Sequence, residues 1–253
     1  MERPDTGNHI MVIHTFLDTL NECIFPHDLL NHPFYQAWSR GELTSLDLQE
    51  YAKNYYYQVE SFPRCLAQLA RRLENSELRQ AILANLTEEL GGRRGRSHAD
   101  LWLDFAAGIG TAGTPFETAP PREITALVSF FRTIAASGTV EEALGAFYAY
   151  ESQVPRVSEA KLKGLKQFYD ADDRTCQYFV THITADIHHA EVWHQQLEKR
   201  LLNNPAARES ALKAAEAAAC ALWTALSGIE HDRLARTAET SRGVLPDRPY
   251  EGS

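Results

Sequence analysis

The stretch THITADIHHAEVWH, residues 181–194, holds four histidines and an aspartate. It lies within a longer run, 173–201, that has helical periodicity and Asp172 or Asp173 in position to cap it. At about 100° per residue, His182, Asp186 and His189 project at about 0°, 40° and −20°. These three side chains share one narrow stripe, whereas His188 and His194 fall at about 240° and 120°, well off it. Such a stripe suits ligands presented to a metal in the core. It also suits a solvated polar face, or core histidines bonded to carboxylates, and 10 histidines in one chain make chance placement easy.

Outward from this helix the 3.6-residue period continues, and no alternating strand or hairpin turn stands out. Helices are expected over 10–31, 45–73, 77–90, 97–109, 122–136, 139–154, 157–169, 173–201 and 206–229, with a short turn at 32–38. Pro63 should bend the helix over 45–73, and Pro155 should end or kink the helix from 139. Gly91, Gly92 and Gly95 separate 77–90 from 97–109, and GTAGTPFETAPP reads as a loop. With no repeat and no clear linker, the simplest account is one all-α domain of seven or more helices. It should span 10–235, between disordered ends at 1–9 and 236–253.

The 253 residues are 44% hydrophobic and carry a net charge of −9, which suffices for one sizeable core. That charge argues against sequence-independent nucleic-acid binding, which needs clustered Lys and Arg. The one dense basic cluster, Arg93, Arg94 and Arg96, is short and Gly-flanked. Cys23, Cys65, Cys176 and Cys220 are far apart and form no CxxC, so reduced thiols are expected. No apolar run approaches about 18 residues, and no signal-peptide core is present, so the expected location is the cytoplasm, off the membrane.

A pair of metals on the stripe would need more carboxylates from facing helices. On the helix 77–90, Glu89 falls at about 20°, within the arc of Leu78, Ile82, Leu83, Leu86 and Leu90, and Glu88 at about 280°, towards solvent. A buried carboxylate needs a metal or a cationic partner. His98 follows the glycines, where a flexible connection could return it to Glu89. Glu151 interrupts the apolar run LGAFYAYESQVP, either as a buried group or as a surface residue at a helix end. Glu89, His98, Glu151, His182, Asp186 and His189 would suit two Fe or Mn ions, and so many carboxylates make zinc hydrolysis less natural. The ferritin-like pattern needs two ExxH motifs; Glu191 with His194 is one, and it lies off the stripe.

The segments NHPFYQAWSRGELT, YAKNYYYQVESFP, NLTEEL followed by His98, YESQVPRVSEAKLKGL and HITADIHHAEVWH together resemble the CADD-like proteins. These are heme-oxygenase-like diiron oxidases, relatives of PqqC and TenA. The resemblance runs from about residue 12 to about residue 230. It implies a seven-helix heme-oxygenase-like (TenA/PqqC-type) bundle, a homodimer and an Fe/Fe or Mn/Fe centre that uses O2 and an external reductant.

It also implies 4-aminobenzoate synthesis for folate, with the ring excised from a tyrosine of the protein and a lysine as amine donor. Motif by motif, the metal ligands fall on the six residues above, the excised tyrosine on Tyr35 and the lysine on Lys161. Tyr51 and Tyr150 match aromatic residues near the metals, with a role in radical transfer. Read without the resemblance, Tyr35 is an ordinary amphipathic-helix residue and Lys161 a surface lysine. One departure from the family pattern is the spacing of Glu89 and His98, lengthened by GGRRGRS. The rival readings are a diiron oxygenase or decarboxylase acting on an exogenous small molecule, and a non-enzymatic protein that binds death domains.

Overall fold

A computed structural model of the chain describes residues 7–92, 95–111 and 119–243. The pair Arg93 and Arg94, most of the GTAGTPFETAPP loop, and the ends 1–6 and 244–253, where disorder is expected, lie outside the described residues. Among the described residues there are α-helices and 3-10 turns and no strand. The α-helices are α1 (Gly7–Ile24), α2 (Pro33–Ser39), α3 (Ser45–Arg71), α4 (Glu77–Glu89), α5 (His98–Gly108), α6 (Arg122–Ser137), α7 (Val140–Glu151), α8 (Val154–Phe168), α9 (Asp173–Asn203) and α10 (Arg208–Gly243).

Local chemistry explains most boundaries. Thr44 with Asp47 and Thr139 with Glu142 form capping boxes that start α3 and α7. Ser76, Ser97 and Asp172 cap α4, α5 and α9 by accepting from backbone N–H groups three residues on. Helix α3 continues through Pro63.

Three expected boundaries differ. The helix expected over 10–31 stops at Ile24. Pro26 opens a 3-10 turn, and Asp28 turns extended (φ −61°, ψ 114°), accepting from Leu30 N to start a second one. Pro155 is the second residue of α8, where a missing N–H is tolerated, so it helps to start that helix, which Ser152 and Gln153 separate from the end of α7 at Glu151. Helix α10 runs to Gly243, past the expected end of the domain at 235. Arg236, beyond that limit, is held by Asp47 Oδ1 at 3.0 Å, which ties the late turns of α10 to the start of α3.

Helix α7 is the most deeply buried of the helices that carry the candidate ligands. Every residue of α7 from Ala143 to Glu151 is buried, as expected of a helix that is apolar on all sides. Gly145 makes this possible: a Cβ there would lie 2.5 Å from the carbonyl oxygen of Ala211 in α10. Trp38, Trp102 and Trp193 are fully buried, and each indole N–H has a partner: the Lys161 carbonyl, the Ala52 carbonyl and the Glu151 carboxylate. All four cysteines are free thiols. No helix among the described residues is long and apolar enough to cross a membrane.

Candidate metal centre

Helix α9 presents His182, Asp186 and His189 on one side, all buried. Helix α4 supplies Glu89 from its last turn, α5 supplies His98 from its first, and α7 supplies Glu151 at its C-terminal end; these too are buried. The six form two groups, Glu89 with His98 and His182, and Glu151 with Asp186 and His189. Within each group the candidate ligand atoms lie within 4.8 Å of one another. A small cavity lined by Glu89, Glu151, His182 and Asp186 joins them, walled by Tyr150 and Tyr178.

The turn between α4 and α5 brings His98 back. Gly91 (φ +85°) and Gly92 (φ +57°) are left-handed, and Gly95 N donates to Gly91 O at 2.7 Å. A Cβ on Gly95 would meet that oxygen at 2.5 Å, so the turn closes only on glycine. His98 Nδ1 then lies 3.1 Å from Glu89 Oε2, and its ring is 4.3 Å from that of His182. In the second group, His189 Nδ1 is 3.2 Å from Asp186 Oδ1 and 3.7 Å from Glu151 Oε1.

The electrostatics are those of a cation site. Burial, reinforced by Asp186 and Glu89, pushes the Glu151 carboxyl far above the ordinary range, against the pull of His189. Burial likewise raises Asp186, to about 6. Burial works against a charged His189, but Asp186, Glu151 and Glu88 outweigh it and raise its pKa to about 10. For His182 burial dominates, helped by His98, and the ring is held neutral. Three crowded buried carboxylates beside three imidazoles are what a pair of divalent ions would relieve. The buried His98 Nδ1 faces the Glu89 carboxylate at 3.1 Å in poor hydrogen-bond geometry, an arrangement that suits two ligand atoms of one ion.

Side chains around the six fix their directions. His182 Nδ1 faces the Tyr178 carbonyl at 2.7 Å, leaving Nε2 for the site. Asn85 Nδ2 and Trp193 Nε1 both donate to the Glu151 carboxylate. Asn85, one turn before Glu89, escaped the sequence reading, although the i, i+4 spacing puts it on the same face. Glu88 is half exposed, yet Oε2 lies 2.9 Å from His189 Nε2; its carboxylate is engaged with the site rather than left to solvent. Glu191 and His194 contribute no atom to either group.

Beyond the centre lies an aromatic box. Lys161, which looked like a surface residue in the sequence, is buried in α8 with Nζ 4.4 Å from the centre of the Tyr35 ring. Nζ also donates to Tyr51 Oη, which lies 3.0 Å from Tyr35 Oη. Burial drives the Lys161 pKa far below that of a free lysine and drives the phenols of Tyr35 and Tyr51 far above theirs. At neutral pH the box therefore holds phenols beside a strongly disfavoured ammonium. Tyr51 stacks on Tyr55 at 5.5 Å, and Tyr55 bonds to Tyr150, a wall of the central cavity. A second aromatic path runs from Tyr51 through Trp102 (5.7 Å) and Tyr178 (4.8 Å) to His182 (4.0 Å). Tyr55, Trp102 and Tyr178 carried no sequence signal beyond a general abundance of aromatic residues.

Comparison with known proteins gives these features a family. Residues 49–223 match the model of a family described as iron-containing redox enzymes. The 4-aminobenzoate synthase of Chlamydia pneumoniae is 34% identical over 221 residues, which is 84% of this chain and 94% of the relative. That of Nitrosomonas europaea is 34% identical over 233 residues, 88% of this chain and 94% of the relative. A crystal structure of a domain with a heme-oxygenase-like fold from Shewanella denitrificans superposes with a TM-score of 0.69. It is 18% identical and covers 98% of this chain and 99% of its own. So extensive a match makes the chain a member of the iron-containing redox enzyme family, an enzyme of the heme-oxygenase-like dimetal class.

Proposed function

We propose that this enzyme makes 4-aminobenzoate in an O2-dependent oxidation, taking the ring from its own Tyr35 and the nitrogen from Lys161. The observation that carries this reading is the buried Lys161 amine, 4.4 Å from the Tyr35 ring and bonded to Tyr51. A lysine without an anionic partner in an apolar box is costly, and a structural role would not need one. As a largely neutral amine it has a free lone pair for bonding to the ring.

In this reading Glu89, His98 and His182 hold one ion, and Glu151, Asp186 and His189 hold the other. Two reduced ions, Fe/Fe or Mn/Fe, would supply the oxidising power from O2. Tyr150, Tyr55 and Tyr51 connect the ligand cavity to Tyr35, so that an electron and a proton can leave Tyr35 without opening the core. Tyr51 holds both reactants, accepting from Lys161 and sharing a proton with Tyr35. Trp38 fixes the backbone of Lys161 through its indole N–H. The proposal includes an external reductant and a homodimer.

The test is isotopic. Protein labelled with ring-deuterated tyrosine, loaded with Fe(II) or Mn/Fe and given O2 and reductant, is expected to release labelled 4-aminobenzoate with no tyrosine added. Product should stay at or below about one equivalent per chain. Tyr35→Phe and Lys161→Arg should each stop release while metal binding persists. Many turnovers on an added substrate with Tyr35 intact would replace this reading with an ordinary oxygenase.

A further inference from the structure

We propose that Glu88 is the positioning residue of the second ligand group, fixing His189 so that Nδ1 faces the metal. The proposal rests on the assignment of the six buried side chains as ligands. An imidazole can present only one nitrogen to an ion, and the other needs a partner that fixes tautomer and ring angle. In His189 the roles are divided by position. Nδ1 faces the Asp186 and Glu151 carboxylates at 3.2 and 3.7 Å, while Nε2 points out of the group to Glu88 Oε2 at 2.9 Å. The bond from Nε2–H to this carboxylate therefore selects Nδ1 as the metal-side atom.

The two α9 histidines are held by different means. The ring of His182 is set by the Tyr178 carbonyl, one turn back in its own helix, which no side-chain replacement removes. The ring of His189 is set by a side chain from another helix, and that side chain is 51% exposed against 3% for His189. Glu88 sits at the C-terminal end of α4, where its carbonyl accepts from Gly91 N at 2.9 Å as the chain enters the turn to His98. It also lines a cavity of about 540 Å³ with Gly95, Arg96, Gln177 and Thr181. One turn of chain thus serves both groups: Glu89 and His98 point into the first, and Glu88 reaches across to orient a ligand of the second.

The experiment titrates full-length wild type, Glu88→Ala, Glu88→Gln and Asp186→Ala with Co(II), following absorption in the visible range and exchangeable imidazole N–H signals by paramagnetic NMR. Two ions per wild-type chain are expected. Glu88→Ala should weaken one of the two by roughly 10- to 100-fold, leave the other unchanged, and lose one shifted N–H signal to solvent exchange. Glu88→Gln keeps an acceptor oxygen and is expected to restore most of the affinity and the N–H signal. A direct ligand role is distinguished by stoichiometry: if Glu88→Ala and Glu88→Gln both drop to one ion, as Asp186→Ala should, the positioning role is overturned. Two ions in Glu88→Ala with unchanged affinities and the N–H signal retained would also overturn it, leaving the ligand assignment standing. Failure of wild type to bind two ions would overturn both.

Discussion

At the scale of single residues, Lys161 carries the most unusual physics in the molecule. Its depressed pKa gives stability a definite pH dependence. The folded chain releases this proton at lower pH than the unfolded chain, where lysine titrates near about 10.4. Between those two values the unfolded state binds more protons, so stability rises with pH, by up to about 1.4 kcal/mol per unit. Lys161→Met removes this contribution. Denaturant unfolding of both proteins across that window is expected to show wild type gaining on the variant as pH rises; a flat difference would mean that the amine is charged in the fold. The sequence held a faint sign of this burial. Val157, Ser158, Gly164 and Leu165 share a face of α8 with Lys161 and are all buried, while Lys163 and Lys166 point out. A run of lysines hides the one that turns inward, because charge composition has no direction and helix phase does.

At the scale of elements, the stripe on α9 was legible because it depends only on the pitch of one helix. Phase also separated Glu89 from Glu88. What phase could not supply is the partner of the outward carboxylate, since the Glu88–His189 contact exists only once α4 packs on α9. The glycine-rich connection between α4 and α5 shows the same limit from the other side. Its glycines were visible, but that they close a turn through backbone contact was not. That contact makes a sharp expectation. Gly95→Ala would press its Cβ onto the Gly91 carbonyl, and the turn would have to open, carrying His98 away from Glu89. Metal titration of this variant should show the first site weakened by about tenfold or more with the second largely intact. The helical circular dichroism should be little changed. Equal weakening of both sites would mean that the turn supports the whole centre.

At the scale of the whole molecule, the all-α class followed from periodicity, and the family from motifs spread over seven helices. Helix count and ends were less legible. The break after Ile24 and the continuation of α10 to Gly243 depend on a local turn and a distant ion pair, Asp47 with Arg236. Pro26 and Asp28 stand next to the first of these ends and could have been read as a turn, whereas the contact that holds Arg236 joins residues 189 apart, and no window of sequence contains it. The bundle places its chemistry where helices from the first and second halves of the chain meet. Glu89 and His98 come from the first 111 residues, and Glu151, His182, Asp186 and His189 from the part that begins at 119.

The burial of Tyr35, only 3% exposed between Phe34, Tyr51 and Lys161, has a consequence for the lifetime of the protein. If the ring leaves as product, the spent chain carries a hole in its core. Emptying a buried aromatic site costs about 3–5 kcal/mol, a large part of the stability of an ordinary domain. Tyr35→Gly imitates that state, and it is expected to melt well below wild type and to be cut faster by a nonspecific protease. A used molecule would then be self-marking: the reaction that ends its usefulness also opens it to degradation, and its amino acids return to the pool from which the next copy is made.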